Sequence, residues 1–113
     1  RRAMQQISVP ELADWLAAAS RNERSRPLMV DVREPWEVDI CRIEGALNLP
    51  MAAVPPRLQE LDPDAETVVI CHHGVRSFQV ALFLERNGFS SVLNLTGGID
   101  AWSHEVDPSM SKY

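Results

Sequence analysis

Apolar residues in this chain fall in short runs divided by polar turns, and the period of each run indicates an element. Leu12, Trp15, Leu16 and Ala19 recur at helical spacing behind Ser8-Val9-Pro10-Glu11, which has the serine, early proline and following glutamate of a capped helix start. Residues 20–27 are polar, rich in arginine and closed by Pro27, as in a surface loop. Leu28-Met29-Val30-Asp31-Val32 is mostly apolar and partly β-branched, the pattern of a strand covered on both faces. Pro35 suits the start of a short helix carrying Trp36 to Ile40, and Gly45-Ala46-Leu47-Asn48-Leu49-Pro50 reads as a glycine turn followed by a second short strand. Pro56 to Leu61 predicts another short helix.

Thr67-Val68-Val69-Ile70 is the most β-branched stretch and predicts the central strand. A helix is expected over 77–87, with Val80, Ala81 and Leu84 on one stripe and Gly88 placed to end it. Val92 to Leu95 reads as a strand, Gly97-Gly98 as a turn and Ile99 to Glu105 as a last helix. Strands alternating with helices, joined by connections too long for hairpins, predict a three-layer α/β domain with a mainly parallel sheet. The expected division is an N-terminal extension over 1–6, the domain over 7–105 and a C-terminal tail over 106–113.

Composition narrows the functional classes. The 113 residues suffice for one domain, and 45% hydrophobic with 24% charged residues fits an ordinary globular chain. A formal net charge of -5 argues against a dedicated binder of nucleic acid or of an anionic membrane. No apolar run approaches the ~20 residues of a membrane helix, and the opening residues lack the apolar core of a signal peptide. The expectation is a cytoplasmic monomer, with residues 1–3 ahead of Met4 a non-native remnant. Two cysteines, Cys41 and Cys71, are too few for a disulfide framework, and a bond between them is disfavoured in a reducing compartment.

The chemistry concentrates where the central strand ends. Cys71-His72-His73-Gly74-Val75-Arg76-Ser77 carries the chain from strand to helix, and ligands of open parallel sheets bind at the carboxyl ends of strands. Successive amides in such a loop point inward, the helix dipole adds roughly half a positive charge, and Gly74 permits a positive φ. That environment favours a thiolate over a thiol. A cysteine at a strand end is often mere packing, but packing needs neither the glycine loop nor Arg76. A cation in the first helical turn opposes the dipole unless it serves an anion or a carboxylate. His72 and His73 read as lining the mouth and, when protonated, attracting an anionic donor, ahead of a general-base role. No metal is expected, because the neighbouring ligands of one tight loop cannot converge on a tetrahedral centre. His104 reads as a surface residue, and Trp36 as an ordinary partly buried tryptophan.

The segment resembles the active-site loop of the rhodanese family of sulfurtransferases, in which four residues separate a Cys from an Arg. Asp31-Val32-Arg33-Glu34, Gly45-Ala46, Gly74-Val75-Arg76-Ser77 and Gly97-Gly98-Ile99-Asp100-Ala101-Trp102 resemble its other landmarks in order. The resemblance implies a five-stranded parallel sheet with helices on both faces. It also implies a Cys71 persulfide formed from thiosulfate or a related sulfane-sulfur donor and discharged to cyanide, a small thiol or a protein thiol, without a cofactor. His72, His73, Gly74, Val75, Arg76 and Ser77 would supply the cradle, with Asp31 and Arg33 as nearby support through ion pairs. Arg42 stands where the family commonly has a histidine, so it is placed with the support and leaves donor preference open. Two other readings use the same residues. One is a sulfur carrier or regulatory module without turnover. The other, a phosphatase or arsenate reductase, fits less well, since those loops carry five residues between Cys and Arg and surround a larger oxyanion.

Overall fold

In the computed structural model, which describes residues 3–113, five strands form one all-parallel sheet in the order β1-β5-β4-β2-β3. They are β1 Gln5–Ile7, β2 Leu28–Asp31, β3 Leu47–Asn48, β4 Glu66–Ile70 and β5 Ser91–Leu95. The helices are α1 Val9–Ser20, α2 Pro35–Ile40, α3 Val75–Arg86 and α4 Gly98–Glu105. Arg1 and Arg2, part of the expected remnant, lie outside the described residues.

The alternation of side chains along β4 divides the core. Val68 and Ile70 face a cluster with Leu12 and Trp15 of α1 and Ile99 and Trp102 of α4. Val69 and Cys71 face the opposite cluster, with Val80, Ala81 and Leu84 of α3. Both faces are therefore covered, which is why the central strand reads as a continuous apolar run. Cys41 belongs to the first cluster and Cys71 to the second, and both are free. The sheet stands between the two thiols.

The capping box forms as expected: the Glu11 amide donates to Ser8 Oγ at 3.2 Å and the Ser8 amide to Glu11 Oε1 at 2.8 Å. Three expectations change. Gln5 and Gln6, assigned to an extension, lie in β1 and pair with Leu93 and Asn94 of β5. Two glutamines carry little strand signal, and an edge strand covered on one side needs little. The segment 56–61 holds no α-helix. It contains a 3-10 turn at Leu58–Glu60, preceded by another at Met51–Ala53, because Pro55 and Pro56 lack the amides an α-helical ladder would use. The helix expected over 77–87 begins at Val75, directly behind Gly74. In the expected tail, Val106, Met110 and Tyr113 pack on the α1/α4 cluster.

Arg33 ties the carboxyl ends of these elements together. Its residue is 0% exposed, and every guanidinium N–H group finds an acceptor. Nε donates to Asp31 Oδ1 at 2.9 Å and Nη2 to Asp31 Oδ2 at 2.7 Å, with Nη2 also reaching the Cys41 carbonyl at 2.8 Å. Nη1 donates to the Glu37 carbonyl at 3.3 Å and to the Tyr113 hydroxyl at 2.9 Å. The end of β2, both ends of α2 and the C-terminal segment thus meet on one cation. Truncating such a group strands its buried anion, which costs about 3–5 kcal/mol. Arg33→Met is expected to lower unfolding free energy by that amount in urea titrations at neutral pH; a change below about 1 kcal/mol would contradict the assignment.

Candidate active site around Cys71

Cys71 follows β4 immediately, and its side chain points to the α3 side of the sheet, where the residue is 1% exposed. The Gly74 amide donates to Cys71 Sγ at 3.1 Å. Ser77 Oγ lies 3.2 Å from the same sulfur. Ser77 also donates to Asn94 Oδ1 at 2.5 Å, and Asn94 is oriented by its own Nδ2, which donates to Gln6 Oε1 at 2.9 Å and the Gly74 carbonyl at 3.2 Å. Ser77 has one proton to give, so with that proton on Asn94 the thiol S–H donates to Ser77 Oγ. A thiolate can draw the Ser77 proton toward itself by rotation of the hydroxyl.

The loop gets its curvature from behind. The amides of Ile99 and Asp100, in the first turn of α4, donate to the carbonyls of Cys71 and His72, both at 2.9 Å. In a trans peptide the C=O and the following N–H point in opposite directions. The amides of His72 and His73 are therefore turned away from α4, toward the side that holds the sulfur. This approach leaves no space at Gly98, where a Cβ would run into the Cys71 carbonyl and come within 2.6 Å of the His72 carbonyl oxygen. Gly74, with φ +99°, makes the turn into α3, whose first amides have no partner within the helix.

Arg76 pairs with a carboxylate. Its Nη1 and Nη2 donate to Glu37 Oε2 and Oε1 at 2.7 and 2.8 Å. Glu37 also accepts from the Glu34 amide and the Tyr113 hydroxyl, both at 2.9 Å. The Arg76 fork holds the Glu37 carboxyl far below the usual range, at about 2, against the opposing effect of burial. Arg76 anchors the start of α3 to α2 through Glu37, and its charge still interacts with Cys71.

The mouth is aromatic. The His72 ring stacks on Tyr113 with centroids 3.8 Å apart and 9° between planes, His73 lies 3.9 Å from His72, and Trp36 meets Tyr113 edge-on at 6.0 Å. Burial, then the neighbouring His73, pushes the His72 pKa below its ordinary 6.5. Burial thus disfavours the protonated form of His72, the form expected to draw in an anion. Tyr113 is pushed up to about 12, chiefly by burial. Trp36, expected to be partly buried, is 61% exposed.

Of the expected site residues, Cys71, Gly74 and Ser77 converge on the sulfur. Val75 is exposed beside them, and Asp31 and Arg33 form the buried pair beneath. Val32, directly after β2, donates its amide to the Ile70 carbonyl, linking that pair to the residue before Cys71. Arg42 is elsewhere: it lines a depression with Leu16, Arg26, Trp102 and Asp107 that shares no residue with the loop. A groove of about 380 Å³ runs beside the loop, lined by Gln6, His73, Gly74, Val75, Phe78 and Asn94. Asp100 brings a carboxylate to His72 and His73, a convergence that reading the loop alone did not foresee. Glu37, Asn94, Asp100 and Tyr113 were missed. A lone polar residue in Val92-Leu93-Asn94-Leu95 was a signal for Asn94; nothing local marks the others.

Because the folded Glu37 pKa lies below its unfolded value, the stability it contributes is present above about pH 4.5 and lost as pH falls toward 2. Glu37→Gln is expected to lower stability at pH 7 by of order 1–3 kcal/mol and to flatten the fall between pH 4.5 and 2, read from urea midpoints. An unchanged acid limb would show that the pair carries no linkage.

Comparison with known proteins agrees with this geometry. The model of the Rhodanese-like domain family matches residues 12–105. A protein named sulfurtransferase from Allochromatium vinosum is 43% identical over 81 residues, 72% of this chain and 76% of that protein. The chain is also 43% identical over 89 residues to the chloroplastic Rhodanese-like/PpiC domain-containing protein 12 of Arabidopsis thaliana, but spans only 30% of that protein's length. The crystal structure of a rhodanese-like domain protein from Staphylococcus aureus superposes with a TM-score of 0.80 at 32% identity, covering 91% of this chain and 95% of that one. No helix among the described residues is long and apolar enough to cross a membrane. From the order of its landmarks, the parallel sheet behind them and the extent of the family match, this chain belongs to the rhodanese-like domain family.

Proposed function

We propose that this chain is a sulfurtransferase working through a persulfide on Cys71. The Cys71 thiolate attacks the outer sulfur of thiosulfate or a related donor, the S–S bond of the donor breaks, and sulfite leaves with the bonding pair. Charge and atoms balance: thiolate and thiosulfate become a persulfide anion and sulfite. A thiophilic acceptor, cyanide or a small or protein thiol, then takes the terminal sulfur and restores the thiolate.

The observation that supports this reading is the pairing of Cys71 Sγ with the Gly74 amide and the Ser77 hydroxyl at the head of α3. Donors already placed around a sulfur anion need little rearrangement when a second sulfur arrives, which is how preorganised dipoles lower a barrier. The four residues between Cys71 and Arg76 favour one sulfur atom over a tetrahedral oxyanion as the occupant. Burial of Sγ limits access of water to the persulfide, and the groove behind Gly74 offers room for a donor or acceptor from the side of exposed His73 and Val75.

Incubation with thiosulfate is expected to add the mass of one sulfur atom to Cys71, removable by cyanide as thiocyanate and absent in Cys71→Ser. A Cys71 left unmodified by saturating thiosulfate and by other sulfane donors would overturn the proposal. Ser77→Ala, which removes one hydrogen bond to the sulfur, should slow loading about tenfold in stopped-time mass measurements; loading at the wild-type rate would remove Ser77 from the cradle.

A further inference from the structure

Beyond the sulfur itself, three metal-ligating side chains meet at the mouth of the loop. We propose that His72, His73 and Asp100 form a binding site for a divalent transition-metal ion of the zinc class, distinct from the thiol of Cys71.

The donor atoms of the three side chains all lie within 4.8 Å of one another. Metal–ligand bonds of about 2.0 Å in a tetrahedron put ligand atoms about 3.3 Å apart, so a modest rotation of exposed His73 closes the set. Two of the three ligands are already positioned. His72 is fixed by its stack on Tyr113. Asp100 is tied to the loop because its amide donates to the His72 carbonyl at 2.9 Å. His104 stays outside the set: its Nδ1 donates to the Asp100 carbonyl at 2.7 Å, which helps fix the Asp100 backbone, and lies 3.7 Å from Asp100 Oδ1.

Two imidazoles and one carboxylate select zinc-like ions over magnesium or calcium, which prefer oxygen ligands. Three protein ligands would leave the fourth position of a tetrahedral ion for water, and exposed His73 keeps the cluster accessible to solvent. Cys71 is not part of the set: its sulfur is buried on the α3 side, bonded to Gly74 and Ser77.

Titration calorimetry with Zn²⁺, checked by equilibrium dialysis, tests the site in the wild type, Cys71→Ser, His73→Gln and Asp100→Asn. One zinc ion per chain is expected in the wild type and in Cys71→Ser, with Kd raised at least tenfold in His73→Gln and in Asp100→Asn. Mg²⁺ is expected to give no heat. Both substituted ligands are solvent-accessible, and circular dichroism verifies that the variants fold. Loss of zinc in Cys71→Ser would assign binding to the thiol and overturn the proposal. So would wild-type affinity in both ligand variants, equal binding of Mg²⁺, or no binding of zinc. Zinc stoichiometry in Cys71→Ser is read without any sulfur transfer, so this outcome is independent of the proposed reaction.

Discussion

The buried guanidinium of Arg33 is the constraint on which the rest of the site depends. A charge without solvent contact is tolerable only if every donor is paired, and the five N–H groups here are shared among Asp31, the carbonyls of Glu37 and Cys41 and the Tyr113 hydroxyl. Each partner is therefore held to within hydrogen-bond tolerance of the others. Glu37, whose carbonyl accepts from Arg33, turns its carboxylate to Arg76, and Arg76 sits in the first turn behind the Cys71 loop. A chain of ion pairs and hydrogen bonds thus runs from the end of β2 to the start of α3.

A second constraint acts from the opposite side. The first turn of α4 binds the outward carbonyls of Cys71 and His72, and peptide geometry then determines where the neighbouring amides face. The loop is held between two helix starts with different tasks. That of α4 grips carbonyls, while that of α3 turns the Gly74 amide onto the sulfur. The close fit at Gly98, which excludes any Cβ, follows from the first task.

Much of this was legible in the sequence because it is local. The capping box at Ser8, the β-branched run of β4 and the glycine loop after Cys71 are each set by residues within a few positions, and each appears where the pattern predicts. What was not legible depends on distant partners. Gln5 and Gln6 carry no alternation, yet β5 supplies their ladder. Glu37 resembles any surface glutamate of a short helix until Arg76 arrives across 39 positions of sequence. Tyr113 has no periodic neighbours at all, and its place between Arg33 and Glu37 is purely tertiary. Arg42, placed with the site by its position beside a motif, lines a depression with Leu16, Arg26 and Trp102 that shares no residue with the Cys71 loop.

The placement of the two cysteines on opposite sides of the sheet bears on how a sulfur loaded by the proposed reaction would leave. Many thiol enzymes carry a resolving cysteine that attacks the modified one and completes the cycle internally. Cys41 is buried in the cluster beneath α1 and α4, with β4 between it and Cys71. Among the described residues no second thiol therefore faces Cys71, and under the proposed reaction the lifetime of its cargo would be governed by the arrival of an acceptor from elsewhere.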